Sequence, residues 1–213
     1  MINELIQRLA WLGHDSYRLD GDPVIYFDPY EIKSETPADI IFISHEHFDH
    51  CSPADVGKIQ KEDTVIVSDV ASAEKLKGDV KTMKAGDRFT VKGVDVEAVP
   101  AYNVNKQFHP KDAGMLGFIV GIGGVRIYHA GDTDFIPEMN NIETDIALLP
   151  VSGTYVMTAD EAIQAARAIN PKVAIPMHYG AIVGDQTDAE RFRDQLAGTI
   201  EVVILDREWL TNI

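Results

Sequence analysis

A buried strand that ends in a cluster of histidines is the feature that most constrains the fold of this chain. Residues 38–44, ADIIFIS, form a near-continuous apolar run, which predicts a strand covered on both faces. HEHFDH (45–50) follows at once. Residues 52–55, SPAD, then supply a serine cap, a proline at the first helical position and an acid in the first turn, which predict a helix start. Three of the seven histidines therefore lie in one strand-to-helix loop.

The residue types in this loop predict a metal site. Alternation along an extended backbone places His45 and His47 on the same side. Asp49 and His50 follow at the turn, where the chain can fold them toward the same centre. Imidazole and carboxylate together suit zinc and similar divalent ions. A polar loop that is merely rich in histidine and a metal-free hydrogen-bond network are the two alternatives.

Other loops at the ends of predicted strands carry further candidate ligands. His129 and Asp132 follow the strand VRIY, and Gly131 between them allows a close turn, so that Asp132 can bridge two ions through its two oxygens. His178 follows the strand VAIPM. The segment 102–109 follows the strand VEAVPA and contains both Asn103 and His109.

The rest of the chain predicts about a dozen strands with several helices between them, within a single domain over residues 1–213. Residues 71–78 predict a short helix ending at Gly78, and capping boxes at 158–161 and 187–190 predict two more. Residues 201–205, EVVIL, predict a last strand. This α/β order favours two sheets with helices outside over one parallel sheet.

Composition narrows the partners and the compartment. The 34 acidic and 19 basic residues give a net charge of −15, which repels phosphate backbones and argues against a nucleic-acid partner. A small-molecule substrate is expected, and a homo-oligomer stays open. No apolar run is long enough to span a bilayer, and the first residues do not resemble a signal peptide. The single cysteine, Cys51, agrees with a reducing cytoplasm and is interpreted as a packed thiol.

The ordered motifs HxHxDH, HAGDT and PMHY resemble those of the metallo-β-lactamase superfamily, over nearly the whole chain. Within it, the opening WLGHDSY is similar to metal-dependent hydrolases and to the ascorbate-phosphate lactonase branch. This resemblance implies a four-layer αββα sandwich of two mixed β-sheets with helices outside. It also implies two divalent metal ions, with zinc expected and manganese or iron as alternatives.

The resemblance assigns roles to individual residues. Asp132 would bridge the two ions, and Asp49 would both ligate and hold the nucleophile, which makes these two the catalytic residues. Asn103 stands where the family has a further histidine for the first metal, so His109 is expected to replace it, with Asn103 or water as the alternative. The implied ligands are His45, His47 and His109 for the first metal, Asp49, His50 and His178 for the second, and Asp132 for both.

Three more residues are expected beside the ligands. Asp28, in YFDPY, would support the metal loop by hydrogen bonding; the alternative is a simple turn residue before Pro29. His14, in the GHxS opening, would contact substrate or support the site, unless it is a core group. His129 would orient a ligand or serve only a structural role.

The implied activity is hydrolysis by a metal-bound hydroxide of an ester, a lactone or a phosphodiester of a small soluble substrate. A phospholipase D-like or nuclease-like phosphodiesterase is one alternative. A metal-binding or sensor protein without catalysis is the other.

Overall fold

The computed structural model describes residues 1–33 and 36–208. These residues form thirteen β-strands, five α-helices and two 3₁₀ turns. The strands are β1 Leu9–Gly13, β2 Ser16–Leu19, β3 Ile25–Phe27, β4 Ala38–Ile43, β5 Gln60–Ser68, β6 Asp79–Thr82, β7 Arg88–Val91, β8 Val94–Pro100, β9 Leu116–Ile122, β10 Val125–His129, β11 Ile146–Pro150, β12 Val173–Met177 and β13 Glu201–Val202. The helices are α1 Ile2–Gln7, α2 Pro53–Ile59, α3 Val70–Ala73, α4 Ala159–Ile169 and α5 Gln186–Leu196, and the 3₁₀ turns are Lys111–Ala113 and Pro137–Asn141.

Both sheets mix parallel and antiparallel pairing. The first sheet has the order β1-β2-β3-β4-β5-β6, antiparallel up to β3 and parallel from β3 onward. The second has the order β13-β12-β11-β10-β9-β8-β7, antiparallel from β7 to β10 and parallel from β10 to β13. Two mixed sheets are the arrangement that the sequence predicts.

The two sheets share one apolar core, and helices cover them. Phe42 of β4 meets Phe118 of β9 across this core, with ring centroids 5.1 Å apart. The neighbouring residues Ile41 and Ile43 lie on the opposite face of β4, where they form a second cluster with residues of α2. Helices α4 and α5 pack against β11 and β12 of the second sheet. The layered αββα sandwich is therefore confirmed.

Several local expectations are confirmed and others are wrong. Ser52 caps α2, and the capping box at 158–161 opens α4. The box at 187–190 is wrong, because α5 is capped two residues earlier by Asp185. The helix predicted over 71–78 ends at Ala73, and the chain then enters β6, a mostly exposed strand without an apolar pattern. The last strand covers only the first two residues of EVVIL.

The fold gathers the chemically important side chains at one edge. His14, Asp28, His45, Asn103 and the segment around Asp132 follow the carboxyl ends of β1, β3, β4, β8 and β10. The segment around His178 follows β12 in the same way. Among the residues that the structure describes, no helix is both long and apolar enough to cross a membrane.

Candidate metal centre

The first group of side chains consists of three histidines around one point. His45 Nε2 lies 3.0 Å from His47 Nδ1, which in turn lies 3.2 Å from His109 Nε2. Asp132 Oδ2 lies 3.2 Å from His109 Nε2 and 4.0 Å from His45 Nε2. If one proton is shared between two of these three ring nitrogens, the lone pair of the third nitrogen has no hydrogen-bond donor. A single cation satisfies all of them, and three imidazoles with one carboxylate form a ligand set typical of zinc.

The second group uses the other oxygen of the same carboxylate. Asp132 Oδ1 lies 3.3 Å from His50 Nε2 and 3.3 Å from His178 Nε2. All three atoms are buried and have no hydrogen-bond partner among the described residues. Buried polar atoms without partners are costly, and their convergence fits a bound cation. Asp132 thus presents one oxygen to each group.

The backbone holds these side chains in uncommon conformations. His14, Asp28 and His178 have φ angles of 53°, 40° and 61°, in the left-handed region that non-glycine residues rarely adopt. Gly131, just before Asp132, has φ +61°, and a Cβ there would lie 2.8 Å from the backbone oxygen of Leu116. Only glycine fits this turn, so the close approach places the bridging carboxylate.

Asp28 connects to ligands of both groups. Its carboxylate accepts hydrogen bonds from the Ser44 amide at 2.7 Å, the Ser44 hydroxyl at 2.6 Å and His50 Nδ1 at 2.8 Å. The Ser44 hydroxyl also lies 2.9 Å from His45 Nδ1. These contacts leave Nε2 of both rings facing the centre, as in the carboxylate–histidine pairs that orient metal ligands.

His109 and Asn103 occupy different places in their loop. His109 Nε2 joins the first group, whereas its Nδ1 lies 3.2 Å from Asn103 Oδ1 and 3.2 Å from the Tyr155 carbonyl. The Asn103 side chain also donates to that carbonyl at 2.9 Å and accepts from the His109 amide at 3.0 Å. Asn103 therefore packs behind the ring of His109, on the side away from the other histidines.

The remaining predicted residues lie nearby. His14 Nε2 contacts Asp49 Oδ2 at 3.2 Å, and the same oxygen lies 3.9 Å from His50 Nε2. His129 does not reach the ligand groups directly: its Nε2 donates to the Asp15 carbonyl at 2.8 Å, and its ring stacks on Phe27.

A cavity of about 310 Å³ opens onto the centre. It is lined by His47, Phe48, Asp49, Phe108, His109, Asp132, Tyr155 and Ile182. A larger groove of about 450 Å³ lies along β7 and β8, but its arginines pair with Glu97 and it contains none of the histidines. Substrate access to the candidate centre is therefore through the smaller cavity.

The electrostatics keep the first group in the ligating form. Burial lowers the pKa of His45 well below its usual range and also lowers the pKa of His47, so both rings are neutral near pH 7. Burial lowers the pKa of His14 to about 4. Burial opposes ionisation of Asp132, but the charges of His178 and His50 hold its pKa well below the ordinary value. Neutral imidazole and ionised carboxylate are the forms that bind metal.

Three residues of the site carry no signal in the sequence pattern that singles them out. Ser44 precedes the histidine cluster, Ser152 lies 2.8 Å from His178 Nδ1, and Asp15 is buried beside His14. A serine one residue before a ligand is common, so the position of Ser44 does not single it out. Ser152 comes near His178 only through the pairing of β11 with β12. Asp15 occupies the variable position of the GHxS opening, which is its one available signal.

The chain matches a family model, that of the Beta-lactamase superfamily domain, over residues 8–178. A UPF0173 metal-dependent hydrolase from Methanoculleus marisnigri is 34% identical over 207 residues, covering 92% of this chain and 91% of that protein. Another from Thermoplasma acidophilum is 34% identical over 215 residues, covering 93% and 94%.

Solved structures agree. A protein assigned as a metal-dependent hydrolase from Parabacteroides distasonis shares 38% identity with a TM-score of 0.84, and each chain is covered to 93%. A protein assigned as a Zn-dependent hydrolase of the metallo-β-lactamase superfamily from Thermotoga maritima has a TM-score of 0.64 at 22% identity, covering 92% of this chain and 97% of that one. At that identity it supports the fold alone.

The fold and the convergent histidines are those of a metal-dependent hydrolase of the metallo-β-lactamase superfamily, and within it the chain belongs to the UPF0173 metal-dependent hydrolase family. The names of these relatives specify no substrate. The narrower resemblance to the ascorbate-phosphate lactonase branch stays a prediction.

Proposed function

We propose that this hydrolase cleaves a carboxylic ester or lactone of a small, partly apolar molecule, using two divalent metal ions, with zinc as the expected ion. The observation that carries the proposal is the position of Asp132, whose two oxygens face two separate groups of buried histidines. His45, His47 and His109 would hold one ion. His50 and His178 would hold the other.

Divalent ions held by these residues would lower the pKa of a bound water molecule and would stabilise negative charge on a carbonyl oxygen. The chain's own residues supply position and proton handling. Asp49 lines the cavity and lies beside His14 Nε2, so its carboxylate is placed to accept a proton from the attacking water. Asp28, Ser44 and Ser152 fix the rings that would face the ions.

The lining of the cavity favours an uncharged ester over a phosphodiester. No lysine or arginine is among its described lining residues. Phe48, Phe108 and Ile182 stand at the opening with 67%, 50% and 41% of their surface exposed, and Phe108 packs edge-on against Tyr155. An apolar acyl group or ring would bury these side chains on binding. The net charge of −15 also disfavours nucleic acid.

The test is turnover of matched substrates by the zinc- and manganese-loaded protein. We expect hydrolysis of p-nitrophenyl esters and aliphatic lactones, with kcat/KM rising with acyl length, and little hydrolysis of bis(p-nitrophenyl) phosphate. Asp132→Asn should abolish the activity. Phe108→Ala should raise KM for long acyl chains, whereas Val104→Ala, an exposed residue outside the cavity lining, should not.

Other outcomes separate the alternatives. Preferential cleavage of the phosphate diester would replace the proposal with a phosphodiesterase. Two bound ions with no turnover of esters, lactones or phosphodiesters would favour a metal-binding or sensor protein instead.

A further inference from the structure

Asp15 is a buried carboxyl group that no predicted role uses. It lies in the turn between β1 and β2, and its exposed fraction is 0%. Neither of its side-chain oxygens has a hydrogen-bond partner among the described residues. An ionised carboxylate in such a place is costly unless a cation or a hydrogen-bond donor compensates it.

On one side of Asp15, the neighbouring polar groups cannot donate a hydrogen bond to its carboxyl group. His129 Nε2 lies 2.8 Å from the Asp15 backbone carbonyl, which can only accept, so Nε2 carries the ring proton and Nδ1 has a lone pair. A ring nitrogen of His129, a carboxylate oxygen of Asp28 and a carboxylate oxygen of Asp15 lie within 4.8 Å of one another. Neither His129 nor Asp28 donates to the Asp15 carboxyl.

The other side of Asp15 faces the second group of ligand atoms. One atom each of Asp15, His50, Asp132 and His178 lies within 4.8 Å of the others. In the neutral, metal-binding form of His50, the Nδ1 proton is donated to Asp28 at 2.8 Å and not to Asp15 Oδ2 at 3.9 Å, so that Nε2 keeps a lone pair. His50 Nε2, His178 Nε2, Asp132 Oδ1 and the Asp15 oxygens are all buried without partners. These atoms converge, and none of them makes a hydrogen bond with the Asp15 carboxyl among the described residues.

We infer that Asp15 is a ligand of the second metal ion, together with His50, His178 and Asp132. It approaches from the buried side, whereas Asp49 reaches the same region from the cavity. The inference rests on the proposed dinuclear centre and adds to it a ligand that the metallo-β-lactamase motifs leave out.

The charge balance supports this assignment. Asp15, Asp28, Asp49 and Asp132 are four carboxylates around the centre, and two divalent ions carry four positive charges. With neutral imidazoles the ionised site is then electrically neutral. Before the bound water loses its proton, a loaded site without Asp15 as an anion would carry one net positive charge in a buried region.

The experiment compares the parent with Asp15→Asn, which keeps the shape and removes the charge. Asp55→Asn is the matched control, because Asp55 is a buried carboxylate of α2 whose partners among the described residues are Glu31, Ser52 and Lys58 and include no histidine. Metal content by mass spectrometry and zinc affinity by competition with a chromophoric chelator are measured on the full chain. We expect two ions in the parent and in Asp55→Asn, but one in Asp15→Asn, with affinity for the second ion reduced at least about 100-fold.

The thermal stability of the metal-free proteins separates a lost ligand from a damaged fold. Metal-free Asp15→Asn should melt at or above the parent, because an uncompensated buried carboxyl has been removed. Its rise in Tm on adding zinc should be smaller. Two ions in Asp15→Asn, each bound within threefold of the parent, would overturn the inference and make Asp15 a protonated acid.

A second measurement needs no variant. In the parent labelled with carboxyl-¹³C aspartate, zinc titration should shift the Asp132 resonance with both equivalents and a further buried resonance, that of Asp15, with the second equivalent alone. If Asp15→Asn does not fold, absence of such a shift overturns the inference. A parent that binds no zinc would overturn the proposed function itself, which is a different outcome.

Discussion

Asp28→Asn is the substitution whose consequences the structure specifies in most detail. The native carboxylate accepts three hydrogen bonds, two from Ser44 and one from His50 Nδ1. Asparagine has one acceptor oxygen, and its amide group donates. At least one of the three donors therefore faces another donor. It is the Ser44 amide, next to His45, when the Asn oxygen takes the Oδ2 place, and the Ser44 hydroxyl and His50 Nδ1 when it takes the Oδ1 place. At least one of the two proposed metal sites should be affected by this change.

The magnitudes follow from these contacts. Loss of a residue that orients a ligand typically weakens metal binding about 10- to 100-fold, or about 1.4–2.7 kcal/mol. A buried donor left without its acceptor costs about 1–3 kcal/mol in the metal-free protein. For a chain of this size each kcal/mol lowers Tm by roughly 2–4 °C, so the metal-free Asp28→Asn variant should melt about 2–12 °C below the parent.

The assay is zinc affinity by chelator competition, beside calorimetric Tm of the metal-free protein. Asp55→Asn serves again as the control, since Asp55 accepts from Ser52, Lys58 and the Glu31 amide but touches no ligand. It should lose stability and keep its metal affinity. The reasoning about Asp28 would be refuted if both zinc affinities of Asp28→Asn stayed within twofold of the parent.

Three further changes test other parts of the site. His109→Ala should lose the first ion, whereas Asn103→Ala should weaken it only about 10-fold, as measured by metal content and chelator competition; equal metal loss in both variants would contradict the different placing of the two side chains. Gly131→Ala adds a clash 2.8 Å from a backbone oxygen to an unfavourable φ, so it should lower Tm and metal content more than Gly123→Ala, which has φ +56° and open space; similar losses would argue against the clash. Burial raises the pKa of the Cys51 thiol to about 11, so about one thiol in a thousand is ionised at pH 8. Iodoacetamide should not alkylate it until the protein unfolds, and rapid alkylation of the folded chain would show that it is accessible.

Several of the expected metal ligands could be predicted from the sequence because they lie close together in one short segment. His45, His47, Asp49 and His50 come from one loop after one apolar strand, and their chemistry is visible without a fold. The sequence favours His109 over Asn103 for the first metal, but its pattern does not show how the two side chains are placed. The loop closes on itself, with the Asn103 amide donating to the His109 carbonyl at 2.7 Å. This turn places the Asn103 side chain at Nδ1 of the His109 ring, whereas Nε2 of that ring faces His47.

Two elements and one site residue are missed by the sequence pattern because none of them has a local sequence signal. Helix α1 begins at Ile2, and Met1 at its N-cap makes no side-chain capping bond, so the helix has no start signal. Strand β6 is mostly exposed, and it exists because its backbone pairs with β5, not because of an apolar pattern. Asp15 was missed for a related reason: nothing local shows that a polar residue in a turn is fully buried.

The geometry of the site lowers the stability of the metal-free folded chain. His14, Asp28 and His178 hold left-handed backbone conformations that cost about 1–3 kcal/mol each. Buried atoms of His50, His178, Asp15 and Asp132 lack hydrogen-bond partners within the part of the chain that the structure describes. A ligand that binds only the folded state offsets such costs by about 4.1 kcal/mol at a concentration 1,000 times its Kd. Two metal ions would therefore supply stabilisation of the same order as the strain. Because the unfavourable conformations and the unpaired atoms occur at the same place, metal binding is expected to complete the fold of this edge as well as its chemistry.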